Sequence, residues 1–140
     1  MLTSRRRSQS EYISTILRPT AWGGAIELSI LATYYNTEIA SIDVETGRVD
    51  HFQPTSSIIS PSGNRGILIY SGIHYDAASL APTLDAPTDF HQTVFSILGE
   101  DGDDSDPIMV AAKELVGKLR QKKRFTNTAT FDLKCEVRVV

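Results

Sequence analysis

Three observations predict an α/β (α+β) domain in which a mixed sheet is flanked by helices. Apolar residues recur at helical spacing in three separated stretches, and short β-type runs lie between and after them. Residues 66–70 form an almost wholly apolar run, as a strand at the centre of a sheet does. The chain has 140 residues, 41% of them hydrophobic, which suits one domain and is enough to bury a core without cross-links.

Residues 10–17 read as a short helix, with Ser8 or Ser10 as N-cap, Tyr12, Ile13, Ile16 and Leu17 as apolar positions, and Pro19 as the stop. After Trp22, Gly23 and Gly24, the positions Ala25, Leu28, Leu31, Ala32 and Tyr35 keep helical spacing as far as Asn36, a residue that tolerates a helix end. Residues 38–44 suit a strand, Glu45, Thr46 and Gly47 a turn, and residues 48–52 a returning strand, which together make a β-hairpin. A polar loop, 53–65, leads into the apolar strand 66–70.

Residues 77–90, interrupted by Pro82 and Pro87, read as surface loop before a short strand at 92–95. Asp106 and Pro107 then open a helix as N-cap and first residue, with Ile108, Ala111, Ala112, Leu115, Val116 and Leu119 as its apolar stripe. The acidic run 100–106 precedes it as a solvated loop. Lys118, Arg120, Lys122, Lys123 and Arg124 close it, so charge matches the helix dipole at both ends. Finally Ala129, Phe131, Leu133, Cys135, Val137 and Val139 alternate with polar residues, the pattern of a strand with one buried face.

A net charge of -3 with 22% charged residues argues against a nucleic-acid binder. One cysteine excludes a disulfide framework or a cysteine-rich zinc site within these residues, and points to the reducing cytoplasm or nucleus. No run of about 18 apolar residues exists to span a membrane. The first nine residues, with Arg5, Arg6 and Arg7, lack the apolar core of a signal peptide and read as a disordered basic tail.

His74 and Asp76 are the residues most suited to chemistry. Two positions apart on a strand place side chains on one face, although a bend at Gly72 could intervene. A carboxylate that orients an imidazole makes it a competent base for a Ser, Cys or Thr nucleophile. His51, on the hairpin, and His91, at a loop edge, have no comparable partner in sequence and read as solvated. Cys135 faces the core of its strand and reads as an inert buried thiol. Trp22 either packs the helix entry or lines a groove, and Glu27 reads as an exposed helix-face residue. Met109 and Val110 lie off the helix stripe, where they either dock a partner or fill the core.

The segment Trp22-Gly23-Gly24-Ala25-Ile26-Glu27-Leu28-Ser29-Ile30-Leu31, followed by Ile69-Tyr70-Ser71-Gly72-Ile73-His74-Tyr75-Asp76, resembles the ovarian-tumour (OTU) family of cysteine deubiquitinases. The likeness is greatest to the branch with a ubiquitin-like N-terminal module and a terminal zinc finger. It runs from about Glu11 through Arg124-Phe125-Thr126-Asn127 to Phe131 and Cys135. It implies an OTU-type cysteine-protease fold, hydrolysis of the isopeptide bond after the C-terminal glycine of ubiquitin, and ubiquitin and polyubiquitin as partners. No cofactor or metal is implied for these residues. By the resemblance His74 is the general base and Asp76 the orienting acid, a role shared in that branch with an aspartate upstream of the nucleophile. Ile69, Tyr70, Ser71, Gly72 and Ile73 frame the ubiquitin tail, with Trp22 as a further contact, and Met109 and Val110 belong to a second ubiquitin surface.

The departures are equally informative. The family nucleophile lies in an Asp-x-x-Cys segment that opens a helix, and no residue before Trp22 matches it. The module that engages the segregase Cdc48/p97 is not represented, and Arg138 stands where the zinc finger has its second cysteine. The expectation is the C-terminal portion of an OTU-like catalytic domain, residues 10–140, inactive alone. A non-catalytic ubiquitin-binding or regulatory module is the alternative.

Overall fold

The computed structural model describes residues 8–55, 58–99 and 103–126. Most of the expected basic tail and the alternating segment that contains Cys135 lie outside the described residues.

Helix α1 (Gln9–Ile16) begins at the last residue of the expected tail, one residue ahead of the expected helix. Its cap is Ser8, whose Oγ accepts from the Glu11 N–H while the Glu11 carboxylate accepts from the Ser8 N–H, a reciprocal capping box. Helix α2 (Ala25–Tyr34) follows the Trp-Gly-Gly segment. Gly24 has no side chain with which to cap it, so Glu27 does the work from within: its Oε2 accepts from the Gly24 N–H at 2.6 Å. Glu27 is therefore half-buried and engaged, not the exposed residue expected. Asn36, at φ 49°, turns the chain out of the helix, as its identity suggested.

Strands β1 (Glu38–Asp43) and β2 (Val49–Phe52) form the expected antiparallel hairpin, turning at Gly47. Strand β3 (Asn64–Tyr70) returns parallel to β1 and completes the centre of the sheet. Two short antiparallel strands then share its outer edge. Strand β4 (Tyr75–Ala77) pairs with residues 68–70, and β5 (Val94–Ser96) pairs with residues 64–66. The sheet is thus mixed, in the order β2-β1-β3-β4, with β5 beside β3. Gln92, expected within the last of these strands, instead bridges to Leu80.

Helix α3 (Pro107–Gln121) packs on one face of this sheet. Ala40, Ile42 and Val44 from β1 and just beyond it, Ile67 and Ile69 from β3, Phe95 from β5, and Met109, Ala112 and Val116 from α3 form one continuous core. The buried stripe of α3 is therefore rotated from the expected one: Met109 has no exposure, whereas Leu115 is 45% exposed and Ala111 lies outside. An apolar arc wider than one face offered two registers, and the sheet selected the one that inserts the flexible methionine.

The buried residues of α2, Leu28 and Ala32, lie outside that cluster although α2 contacts β1 and β2, which puts α2 on the opposite face. Strand β3 is consequently not buried on both faces as its composition suggested. Arg65, Ile67 and Ile69 are buried, while Gly66, Leu68 and Tyr70 are only half-covered.

Candidate functional site

His74 stands in the turn between β3 and β4, not on a strand. Tyr70 and Tyr75 pair across the hairpin and their rings stack at 4.5 Å, so residues 71–74 form the reversal. Ser71 holds it closed: its N–H donates to the His74 carbonyl at 3.0 Å, and its Oγ accepts from the His74 N–H at 3.2 Å. The Tyr70 hydroxyl donates to the Gly72 carbonyl at 2.8 Å. Gly72 sits at φ 102°, and a side chain there would collide with the Thr126 carbonyl. The chain leaving α3 seals the same turn, where the Thr126 N–H donates to the Ser71 carbonyl at 2.7 Å. The backbone beneath the imidazole is therefore fixed by four separate contacts.

The His74 ring faces Trp22, with centroids 5.5 Å apart and planes inclined at 59°. This contact brings together the two sequence segments singled out above, from residues 52 positions apart. Trp22 remains 66% exposed, so it borders the site as an open wall instead of packing the helix entry. Glu27, beside Gly23, has Oε1 buried and without a hydrogen-bond partner among the described residues. Burial pushes the Tyr75 hydroxyl above the ordinary tyrosine range, with Tyr70, Asp50 and Glu27 adding to the effect.

Asp76 is exposed on β4, directly across from Ile69. Opposed residues of an antiparallel pair share a face, so Asp76 points to the side of Ile69, and the Tyr70–Tyr75 stack occupies the other. No hydrogen bond joins Asp76 to the His74 ring among the described residues. The same-face expectation assumed a continuous strand, which the turn at Gly72 breaks.

Of the expected ubiquitin contacts, Tyr70, Ser71, Gly72 and Ile73 are half-exposed around the turn. The Ile69 side chain is 6% exposed and committed to the core, as is Met109, so neither side chain is free to meet a partner. Val110 is 45% exposed and remains available. An open cavity of about 220 Å³ lies elsewhere, lined by Asn36, Glu38 and Asn64 at the opposite end of the sheet from His74.

Sequence reasoning missed a charged cluster at that opposite end. Arg65 reaches Glu38 at 2.6 Å, Asp106 at 3.4 Å and Asp103 at 3.7 Å. His51, expected to be solvated, places Nδ1 2.8 Å from Glu38 and Nε2 2.8 Å from Asp103. The ring thus bridges a strand carboxylate and one from the acidic loop. Asp106 also caps α3, accepting from the Ile108 N–H at 2.9 Å. The acidic loop is thus tied to the sheet by buried charge. His91 is engaged too, bonding the Ser79 hydroxyl and the Ala86 carbonyl at 3.0 Å each. All these partners are distant in sequence or on loops, beyond the reach of local pattern reading.

A mixed sheet with one helix packed on each face presents a histidine in an edge turn against a tryptophan, which makes a half-open α/β site with an imidazole at its rim. No family model matches the chain. Individual proteins do. It is 43% identical over 127 residues to an Arabidopsis thaliana protein named OVARIAN TUMOR DOMAIN-containing deubiquitinating enzyme 2, across 91% of this chain and 58% of that one. It is 39% identical over 132 residues to ubiquitin thioesterase OTU1 of Danio rerio, across 94% of this chain and 40% of the relative. A solved OTU domain in complex with ubiquitin superposes with a TM-score of 0.61 at 26% identity, covering 82% of this chain and 58% of that one. The chain belongs to the OTU family, and it spans between about a third and three-fifths of the length of the curated relatives it matches.

Proposed function

We propose that this chain supplies the histidine side of an OTU-type deubiquitinase site, which hydrolyses the isopeptide bond after the C-terminal glycine of ubiquitin. The observation that carries the proposal is the His74–Trp22 contact above a turn held by Ser71, Gly72 and Thr126. The names of the relatives and the ubiquitin bound to the solved OTU domain support the substrate class.

In this reading His74 takes the proton of a cysteine thiol, then returns it to the leaving lysine amine. The fixed turn keeps the imidazole in place for both transfers. Trp22, Tyr70 and Ile73 line the groove for the ubiquitin tail. Asp76 orients the imidazole only after a rotation of its side chain, so an acid elsewhere shares that role. The thiol does not come from the described residues. Contact with Cdc48/p97 is assigned to a module outside these residues, and the cytoplasm or nucleus is the compartment that the single cysteine suits.

The test combines binding and turnover on the purified 140-residue chain. Ubiquitin should bind, more weakly with Tyr70→Ala or Ile73→Ala, and linked ubiquitin should remain uncleaved. Robust cleavage abolished by Cys135→Ala would overturn the assignment of the thiol to another segment. Absence of ubiquitin binding by a folded chain would overturn the proposal.

A further inference from the structure

The cavity of about 220 Å³ at the far end of the sheet from His74 takes no part in the reaction above. Its rim is fastened by hydrogen bonds. Thr33 Oγ1 accepts from the Thr55 N–H at 3.2 Å, Asn36 Nδ2 donates to the Ser60 carbonyl at 2.8 Å, and the Ile97 N–H donates to the Gly63 carbonyl at 2.8 Å. The space is therefore formed before any guest arrives, as ligand sites usually are. Pro54, Pro61 and Ile97 give it apolar walls, and none of the described lining residues is a lysine or arginine.

Two residues of that lining keep unused acceptor capacity. The Asn36 amide, oriented by its bond to Ser60, leaves Oδ1 buried and without a hydrogen bond among the described residues. Glu38 is 5% exposed and meets Arg65 and His51 through one contact per oxygen, which leaves about two of a carboxylate's four or so acceptor positions. Charge favours the same kind of guest. The carboxylates of Glu38, Asp103 and Asp106 face one guanidinium and one imidazole, so formal negative charge is in excess whichever state the imidazole holds. An apolar-walled recess beside that excess focuses a negative potential. We propose that the cavity binds an alkylammonium group, the end of a lysine side chain or of a free amine. Its methylenes lie along Pro54, Pro61 and Ile97, and its nitrogen points toward Glu38 and Asn36. Such a guest joins an apolar stem to a charged donor with no acceptor of its own. A volume below the roughly 300 Å³ at which drug-sized sites begin also suits a single aminoalkyl chain.

The test is a titration of the isotope-labelled 140-residue chain with n-butylammonium chloride at low salt, followed by NMR through the Asn36 and Asn64 side-chain amides and the Ile97 methyl groups. These signals should move and saturate in the millimolar range. The uncharged n-butanol, with the same stem, should bind at least tenfold more weakly. Gln53 is an exposed lining residue, so its variants leave the buried cluster intact. Gln53→Lys should weaken the amine at least fivefold by placing a cation at the cavity mouth, and Gln53→Glu should strengthen it at least twofold. Absence of saturable shifts, equal binding of n-butanol, an equal response to ammonium chloride, or Gln53 variants that do not act in opposite directions overturns the proposal. A blocked Gly-Lys-Gly peptide distinguishes the sources. Binding as tight as that of the free amine assigns the site to protein lysines, and exclusion of the peptide while the amine still binds assigns it to small amines. No readout involves ubiquitin, so a failure here leaves the His74 reading standing.

Discussion

Arg65 on β3 donates to Glu38 on the adjacent β1 at 2.6 Å, with both side chains more than nine-tenths buried. The pair fixes the register of the parallel strands at one end and, through Asp103 and Asp106, secures the start of α3 to the sheet. Replacing Arg65 with Met leaves Glu38 and Asp106 buried without that cation. A loss of about 3–5 kcal/mol is expected, the range for a buried ion pair broken from one side. Urea unfolding measures it; a loss below about 1 kcal/mol would mean that water reaches these carboxylates.

Gly72→Ala meets two obstacles at once: a left-handed backbone angle and the Thr126 carbonyl in the space of the new methyl. A cost of about 1–3 kcal/mol is expected from the backbone conformation. The functional effect should exceed the global one, because the turn that moves carries His74. Ubiquitin affinity should fall at least tenfold while the circular dichroism spectrum of the folded chain is retained. Unchanged affinity would detach the turn from the binding site.

Met109 and Val110 are neighbours with opposite roles. Met109→Ala opens a cavity in the core between α3 and the sheet and should cost about 2–5 kcal/mol. Val110→Ala should stay within about 0.5 kcal/mol, as surface changes do. If the second ubiquitin surface includes this helix, Val110→Ala weakens ubiquitin binding at unchanged stability, whereas Met109→Ala acts only through stability. Comparison of melting and ubiquitin titration for the two variants separates these effects.

Tyr75 is held above its ordinary value of 10.0 by burial first, then by Tyr70, Asp50 and Glu27. The folded state therefore prefers the neutral phenol. Its contribution is complete below the unfolded value near 10 and is lost as pH rises toward the folded one, because the unfolded chain releases the proton first. In a spectrophotometric titration at alkaline pH, Tyr75→Phe should remove a component that ionises above the usual tyrosine range. If that component persists in the variant, Tyr75 is not its source.

Most of the elements were legible because their causes are local. Asp106-Pro107 starts α3, Asn36 ends α2, and Gly47 turns the first hairpin, each through its own backbone or side chain. The Trp22 and His74 segments were legible as motifs, and the fold brings their rings together. Features set by tertiary choice were not. The apolar residues of α3 allowed two faces, and the shape of the sheet decided between Met109 and Leu115. His51 looked solvated because Glu38 and Asp103, its partners, are 13 and 52 residues away. The expected His74–Asp76 pairing assumed an unbroken strand, and the turn that breaks it depends on Thr126 returning from the far end of α3.

Whether this fold presents its imidazole to ubiquitin is decided most directly by ring carbon–proton NMR of the three histidines during titration with ubiquitin. The His74 ring signals should shift and saturate, those of His51 and His91 should stay in place, and ubiquitin lacking its C-terminal glycines should leave all three unmoved. A folded chain in which ubiquitin binds but His74 does not respond, or responds no more than His51 and His91, would contradict the assignment of this turn as the catalytic wall.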